Sequence, residues 1–322
     1  DLGKLKEAEV STRKAIQLNP NYATAHANLG VIFKILGKLK EAEVEQRKAI
    51  AINPKLATAH SNLGVILNDL GKLKEAEVST RKAIQLDPKF AKAYYFLSTL
   101  QYSNENSIWK KQLFSNNILN YNSRKDQINI YFARANILHN EKNYKDSAKY
   151  LQLANNLKLN LKPSNSEDLI KNSKLLLSES NKNKVYEVNR NYPTSIFIVG
   201  IPRCGSTLVE SIITMKSNVD DLGEINILED SFLAHKKITQ KLTLAELYWE
   251  KTNSKDELKS TTNKWLYNYQ YAGIIARHIP NAKIIHCYRN PLDNILSIYR
   301  THFAGGNEYS SSLVDCAKVY LD

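Results

Sequence analysis

The octapeptide Leu-Gly-Lys-Leu-Lys-Glu-Ala-Glu begins at Leu2, Leu36 and Leu70, and Pro20, Pro54 and Pro88 keep the same 34-residue spacing. A chain with such a period stacks copies of one supersecondary unit, each burying its apolar face against its neighbours. In the copy spanning 23–56, Leu29, Gly30, Phe33, Ala42, Ala49 and Pro54 occupy the positions where two antiparallel helices touch and turn. The small residues among them permit close helix packing.

A period of 34 residues with this pattern is the tetratricopeptide signature. The usual aromatic near the repeat start is replaced by His26 and His60, which read as packed or partly exposed repeat residues. A fourth, degenerate repeat begins at Ala91, and 129–157 restores a helical pair through Tyr131, Ala133, Ala135, Tyr144, Ala148, Leu151 and Ala154, so the solenoid is expected over 1–160. Arrays of this kind offer a concave surface to peptides. Asn28 and Asn62 sit at equivalent positions and could form an amide ladder for an extended peptide or protein acceptor, ending at Phe96, or could be polar surface without a ligand. The period also places Asp1 between the two helices of a unit, so the chain is expected to be a fragment, truncated at both ends.

Composition then shifts. Residues 101–191 are rich in Asn, Lys, Ser and Tyr, with one amphipathic stretch at Leu169–Leu177, and apolar strand-like runs appear only after Thr194. This predicts a helix and linker at 161–193 and a second domain at 194–322. No apolar run approaches the roughly 18 to 20 residues of a membrane span, and no signal-like segment opens the chain.

The second domain opens on Ile196-Phe-Ile-Val-Gly-Ile-Pro-Arg-Cys-Gly-Ser-Thr-Leu208, a strand running into a glycine-flanked turn and a helix start. Backbone N–H groups at such a turn cradle phosphate. Gly200 to Thr207 has the span of a nucleotide-triphosphate loop, but Ser206 stands where its lysine belongs and Arg203 lies inside the turn. A second element follows the apolar run 283–288: Arg289, then Pro291 opening a helix from which Ser297 projects. Two phosphate sites without the triphosphate lysine point to 3′-phosphoadenosine 5′-phosphosulfate. At these residues the chain resembles the sulfotransferases, most closely the branch of tyrosylprotein sulfotransferases and bacterial proteins that join tetratricopeptide repeats to a sulfotransferase domain.

The resemblance implies an α-helical tetratricopeptide solenoid followed by an α/β, P-loop-like domain with a parallel sheet. It implies that Pro202, Arg203, Cys204, Gly205, Ser206 and Thr207 hold the 5′ end of the donor, and that Arg289 and Ser297 hold its 3′-phosphate. Glu224, in Asp221-Leu-Gly-Glu224, matches the family's general base, and Lys264 matches the lysine that approaches the bridging oxygen, although Leu266 replaces a common proline. Arg203 and Lys264 could stabilise the transferring group without metal. His286, among apolar neighbours, reads as a core residue. The family's later tyrosine-glutamate motif and C-terminal helices do not appear in the sequence.

The net charge of +13 suits an anionic partner, yet many lysines recur at repeat positions (Lys4, Lys38 and Lys72; Lys14, Lys48 and Lys82) as solvated helix faces, and no nucleic-acid surface is indicated. Cys204, Cys287 and Cys316 form no disulfide or zinc pattern, so a reducing, cytoplasmic setting is expected. The leading expectation is sulfuryl transfer to a protein tyrosine or glycan hydroxyl presented by the repeats. A non-catalytic repeat scaffold with an inactive transferase-like domain is the alternative, and a kinase is disfavoured by the missing loop lysine.

Overall fold

The structure is a computed structural model and describes residues 2–100, 108–182, 192–237, 242–252 and 259–322. The chain divides into two compact units, Asp1–Leu161 and Lys162–Asp322.

The first unit is helical: α1 (Leu2–Leu18), α2 (Ala23–Ile35), α3 (Leu39–Ile52), α4 (Ala57–Asp69), α5 (Leu73–Leu86), α6 (Ala91–Thr99), α7 (Ile108–Phe114), α8 (Asn117–Asn120), α9 (Arg124–Asn140) and α10 (Tyr144–Leu161). The repeated Leu-Gly-Lys is the turn inside each helical pair. Gly37 adopts φ 74°, its N–H donates to the Lys34 carbonyl, and the Lys38 N–H donates to the Phe33 carbonyl, a Schellman closure repeated at Gly71. The α9–α10 turn closes the same way with Lys142 at φ 62°. Between pairs, Asn19, Asn53 and Asp87 accept the backbone N–H two residues on, forming a side-chain turn around each proline.

Close packing inside each pair depends on missing atoms. A Cβ on Gly64 would stand 2.3 Å from Thr80 Oγ1 and 3.2 Å from the Ala76 carbonyl oxygen. Ala42 opposite Gly30 and Ala76 opposite Gly64 are fully buried, as are Ala49 and Ala83. The histidines expected as repeat residues fasten the inter-repeat turn: His60 Nε2 donates to the Pro54 carbonyl at 3.0 Å, and Tyr94, one period on, donates to Pro88 at 3.1 Å. His26 repeats the contact to Pro20 at 3.1 Å and also meets Glu45 at 2.6 Å. One core runs from Leu63 and Leu67 through Tyr94, Leu97 and Trp109 to Ile130 and Ile137.

The second unit begins with α11 (Ser166–Lys182), followed by β1 (Ser195–Gly200), α12 (Ser206–Ile213), β2 (Val219–Asp221), α13 (Ile227–Lys237), α14 (Leu244–Thr252), β3 (Ser260–Asn263), α15 (Ala272–His278), β4 (Ala282–Cys287), α16 (Pro291–Tyr299) and α17 (Leu313–Leu321). The stretch expected as a helix and linker thus supplies a helix to this unit. Leu176 of α11 joins the core of Phe197, Val199, Tyr248 and Ile274, and Asn172 donates to Gln270 at 3.1 Å. Residues 183–191 of the expected linker lie outside the described residues.

The sheet is parallel throughout, in the order β2-β3-β1-β4. Central β1 is buried almost throughout, which explains its unbroken apolar run. Strand β4 lies at the edge of the sheet. His286 on it is exposed, not the core residue its neighbours suggested, because an apolar run does not reveal which strand ends the sheet.

Candidate active site

Strands β1, β3 and β4 release their chains at the same edge of the sheet, where parallel α/β folds place ligands. Strand β1 ends at Gly200, with φ 148°, where a Cβ would stand 2.4 Å from the Cys287 carbonyl oxygen, so only glycine lets the ends of β1 and β4 meet. The turn that follows holds Arg203 at φ 71° and Gly205 at φ 99° before α12 begins at Ser206. A left-handed arginine is strained backbone, a cost of the kind that clusters at functional turns. Buried Asn294 of α16 donates to the Pro202 carbonyl at 3.1 Å and ties the turn down.

A cleft of about 530 Å³ lies over this turn, lined by Pro202, Arg203, Gly205, Ser206, Thr207, Glu224, Lys264, Trp265, Leu266, Tyr267, Arg289, Phe303 and Asn307. Most of the expected site residues therefore converge. Arg203 Nε donates to Ser297 Oγ at 3.3 Å, which joins the loop to the second element. Arg289 is exposed at the start of α16, and its carbonyl accepts from Tyr320 of α17 at 2.7 Å. Asn290 caps α16 by accepting from the Leu292 and Asp293 N–H groups, which fixes where Arg289 and Ser297 emerge. Cys204 is set apart. Its Sγ lies 3.2 Å from the empty Cβ position of Gly200, away from the cleft lining, and with burial it helps push the Cys287 thiol up.

Glu224 reaches the cleft through pairing of β2 with β3. The Leu222 N–H donates to the Thr262 carbonyl and the Lys264 N–H to the Gly223 carbonyl, bringing the two segments side by side. Lys264 Nζ then meets Glu224 Oε1 at 3.1 Å, Glu210 Oε2 at 3.0 Å and Thr207 Oγ1 at 3.2 Å. Burial pulls the Lys264 pKa down, but its contacts with Glu210 and Glu224 outweigh this and hold it above the ordinary lysine value. Burial pushes Glu210 above the usual carboxylate range, opposed by Lys264 and reinforced by nearby Asp221.

Sequence reasoning missed Glu210. Helix α12 reads as an apolar helix, with Leu208, Val209, Ile212 and Ile213 at helical spacing, yet Leu208 and Ile212 are exposed while Glu210 is buried. A lone carboxylate among those apolar residues was the available signal. It also missed the aromatic wall, where Tyr267 donates to Asn307 at 2.5 Å and burial raises its hydroxyl to about 12.

Three comparisons bear on this architecture. Residues 193–321 match the profile described as the sulfotransferase family, and residues 23–56 and 57–90 each match a tetratricopeptide-repeat profile. An uncharacterized protein of Aquifex aeolicus (strain VF5) is 30% identical over 138 residues, which is 36% of this chain and 18% of that relative. Among solved structures, Pseudomonas aeruginosa pilF is 24% identical with a TM-score of 0.38, covering 56% of this chain and 79% of that one. YrrB, titled a TPR protein with an unusual peptide-binding site, is 16% identical with a TM-score of 0.33, covering 53% and 85%. No described helix is long and apolar enough to cross a membrane. The chain thus joins tetratricopeptide repeats at 23–90 to a sulfotransferase-family domain at 193–321.

Proposed function

We propose that the second unit moves a sulfuryl group from 3′-phosphoadenosine 5′-phosphosulfate to a hydroxyl, on a protein tyrosine or a glycan, captured by the repeats. The observation that carries this reading is the convergence of Arg203, Glu224, Lys264 and Arg289 on one cleft at the strand ends. The donor supplies an activated sulfuryl group on a phosphate leaving group. The left-handed turn and the start of α12 suit its 5′ end, and Arg289 with Ser297 suits its 3′-phosphate.

In this reading the acceptor oxygen forms a bond to sulfur as the bridging S–O bond breaks. Glu224 takes the acceptor proton, and Lys264 with Arg203 carries the charge that collects on the departing 3′-phosphoadenosine 5′-phosphate. Positioned cations do most of such work, since the transferring group needs no covalent help from the protein. On the repeats, Asn28 of α2 is exposed and Asn62 of α4 half-buried at equivalent positions, and both suit the backbone of an extended acceptor.

Calorimetric titration with 3′-phosphoadenosine 5′-phosphate tests the reading, with Arg203→Ala, Arg289→Ala and ATP as controls. Binding that either substitution abolishes and ATP does not reproduce is expected. Absence of binding to the unsubstituted protein would overturn the donor assignment and favour the scaffold reading.

A further inference from the structure

Lys264 has three hydrogens to donate and three partners within reach: Thr207, Glu210 and Glu224. A donor oxygen approaching this ammonium must therefore displace one of them. The side chains of Lys264 and Glu210 are each 7% exposed, whereas Glu224 is 64% exposed. An exposed carboxylate is readily rehydrated when it leaves, so of the two ion pairs this one is the cheaper to exchange. A buried carboxylate that lost the ammonium would be left uncompensated.

We propose that Glu210 is a positioning residue for Lys264: its buried carboxylate keeps the ammonium at the start of α12 while Glu224 gives way to the donor. This rests on the sulfuryl-transfer reading and adds an order to it, because Glu224 is released to accept the acceptor proton only once the donor has taken its place on Lys264. The local geometry follows from the sequence. Glu210 lies three residues after Thr207 on α12, so both side chains face Lys264 from one side of the helix, while Lys264 leaves β3 opposite them. Among the described residues Glu210 Oε1 is buried without a hydrogen-bond donor, and the Asp221 carboxyl lies beside Glu210. A half-satisfied buried carboxylate is a poor device for stability alone, and holding a cation at a reaction centre accounts for it.

The charged groups around this cluster are Glu210 from α12, Glu224 from the segment after β2, and Asp221 of β2 beside Glu210. Glu210→Gln keeps the shape and removes the charge. Competitive acetylation across pH, with the Lys264 peptide quantified by mass spectrometry, reads the ammonium directly. In the unsubstituted protein, Lys264 is expected to half-react above the ordinary lysine value of about 10.4. In Glu210→Gln the half-point is expected to fall, as burial is left less opposed. Titration with 3′-phosphoadenosine 5′-phosphate should change by less than about threefold, because the arginines still hold its phosphates. Bound nucleotide should slow acetylation of Lys264 in the unsubstituted protein and do so less in the variant.

An ordinary or lowered half-point in the unsubstituted protein would overturn the proposal without any variant being needed. An unchanged half-point in Glu210→Gln would overturn it while leaving nucleotide binding, and hence the transfer reading, intact. Failure of the unsubstituted protein to bind the nucleotide would remove the transfer reading and this role together, and the titration separates that failure from the other two.

Discussion

The two units use charge in opposite ways. In the repeats, Glu43 joins Arg47 and Lys72 at 2.8 Å each and Arg47 reaches on to Glu75, with the cations about half exposed. The pairs to Glu75 and Lys72 form where α3 lies beside α5, and water can replace either cation. In the second unit, Lys264 and Glu210 come from elements far apart in sequence and are withdrawn from water together. The exposed cations of the repeats are individually dispensable, whereas the buried Lys264 and Glu210 depend on each other.

The largest expected effect falls on the close approach in the second unit. Gly200→Ala puts a Cβ against the Cys287 carbonyl in a left-handed backbone, and a loss of roughly 4 kcal/mol or more is expected in denaturant unfolding followed by Trp249 and Trp265 fluorescence. Gly37→Ala, at φ 74° with no atom within 4 Å of the new Cβ, should cost only about 1–2 kcal/mol. Equal losses would break the comparison. Lys264→Ala comes next: it strands Glu210 and should cost about 3–5 kcal/mol, with loss of sulfuryl transfer in a donor-consumption assay. Gly64→Ala presses on Thr80 and the Ala76 carbonyl, and about 1–3 kcal/mol is expected from unfolding read at Trp109. Lys72→Ala removes a solvated pair and should cost no more than about 1 kcal/mol, most of it gone at high salt.

The pH dependence of each ion pair has its own sign. The Lys72 and Arg47 contacts hold the Glu43 carboxyl below its usual range against the effect of burial, so its stabilisation is present above the unfolded carboxylate pKa of about 4.3 and is lost as pH falls through the folded value. Lys264 is raised, so its contribution is complete below the unfolded lysine pKa of about 10.4 and is lost as pH rises through the folded value. Glu210 is also raised, and it therefore opposes stability as pH rises through the unfolded carboxylate value. Melting followed at Trp109 should show the acid loss, and melting at Trp249 and Trp265 the alkaline one. An acid loss is expected in the second unit as well, where, against burial, Lys162 holds Glu308 and Ser164 holds Asp315 below the usual carboxylate range.

What the sequence made legible follows the same division. The repeats announce themselves because Leu-Gly-Lys recurs, and its Schellman turn is local enough for one copy to explain the others. Arg203 and Arg289 could be picked out because each follows a strand or turn signal, and Glu224 and Lys264 because they match residues of the sulfotransferases. Glu210 could not, since its meaning depends on a lysine beyond β3. His286 was misplaced, and the docking of the expected helix α11 went unread, for a related reason: edge position and helix docking are properties of the assembled sheet.

Strand β1 pairs with β3 from Ser195 to Thr261 and with β4 from Ser195 to Ala282. Such pairings close long loops before any contact repays the lost chain entropy, so this sheet should form slowly, whereas each repeat pair folds on contacts a few tens of residues apart. During synthesis the solenoid can be complete while β1 still waits for its neighbours. The cleft exists only once β4 has joined β1, since Gly200 meets Cys287 there. Nucleotide binding to a nascent chain would therefore time the last step of assembly rather than the first.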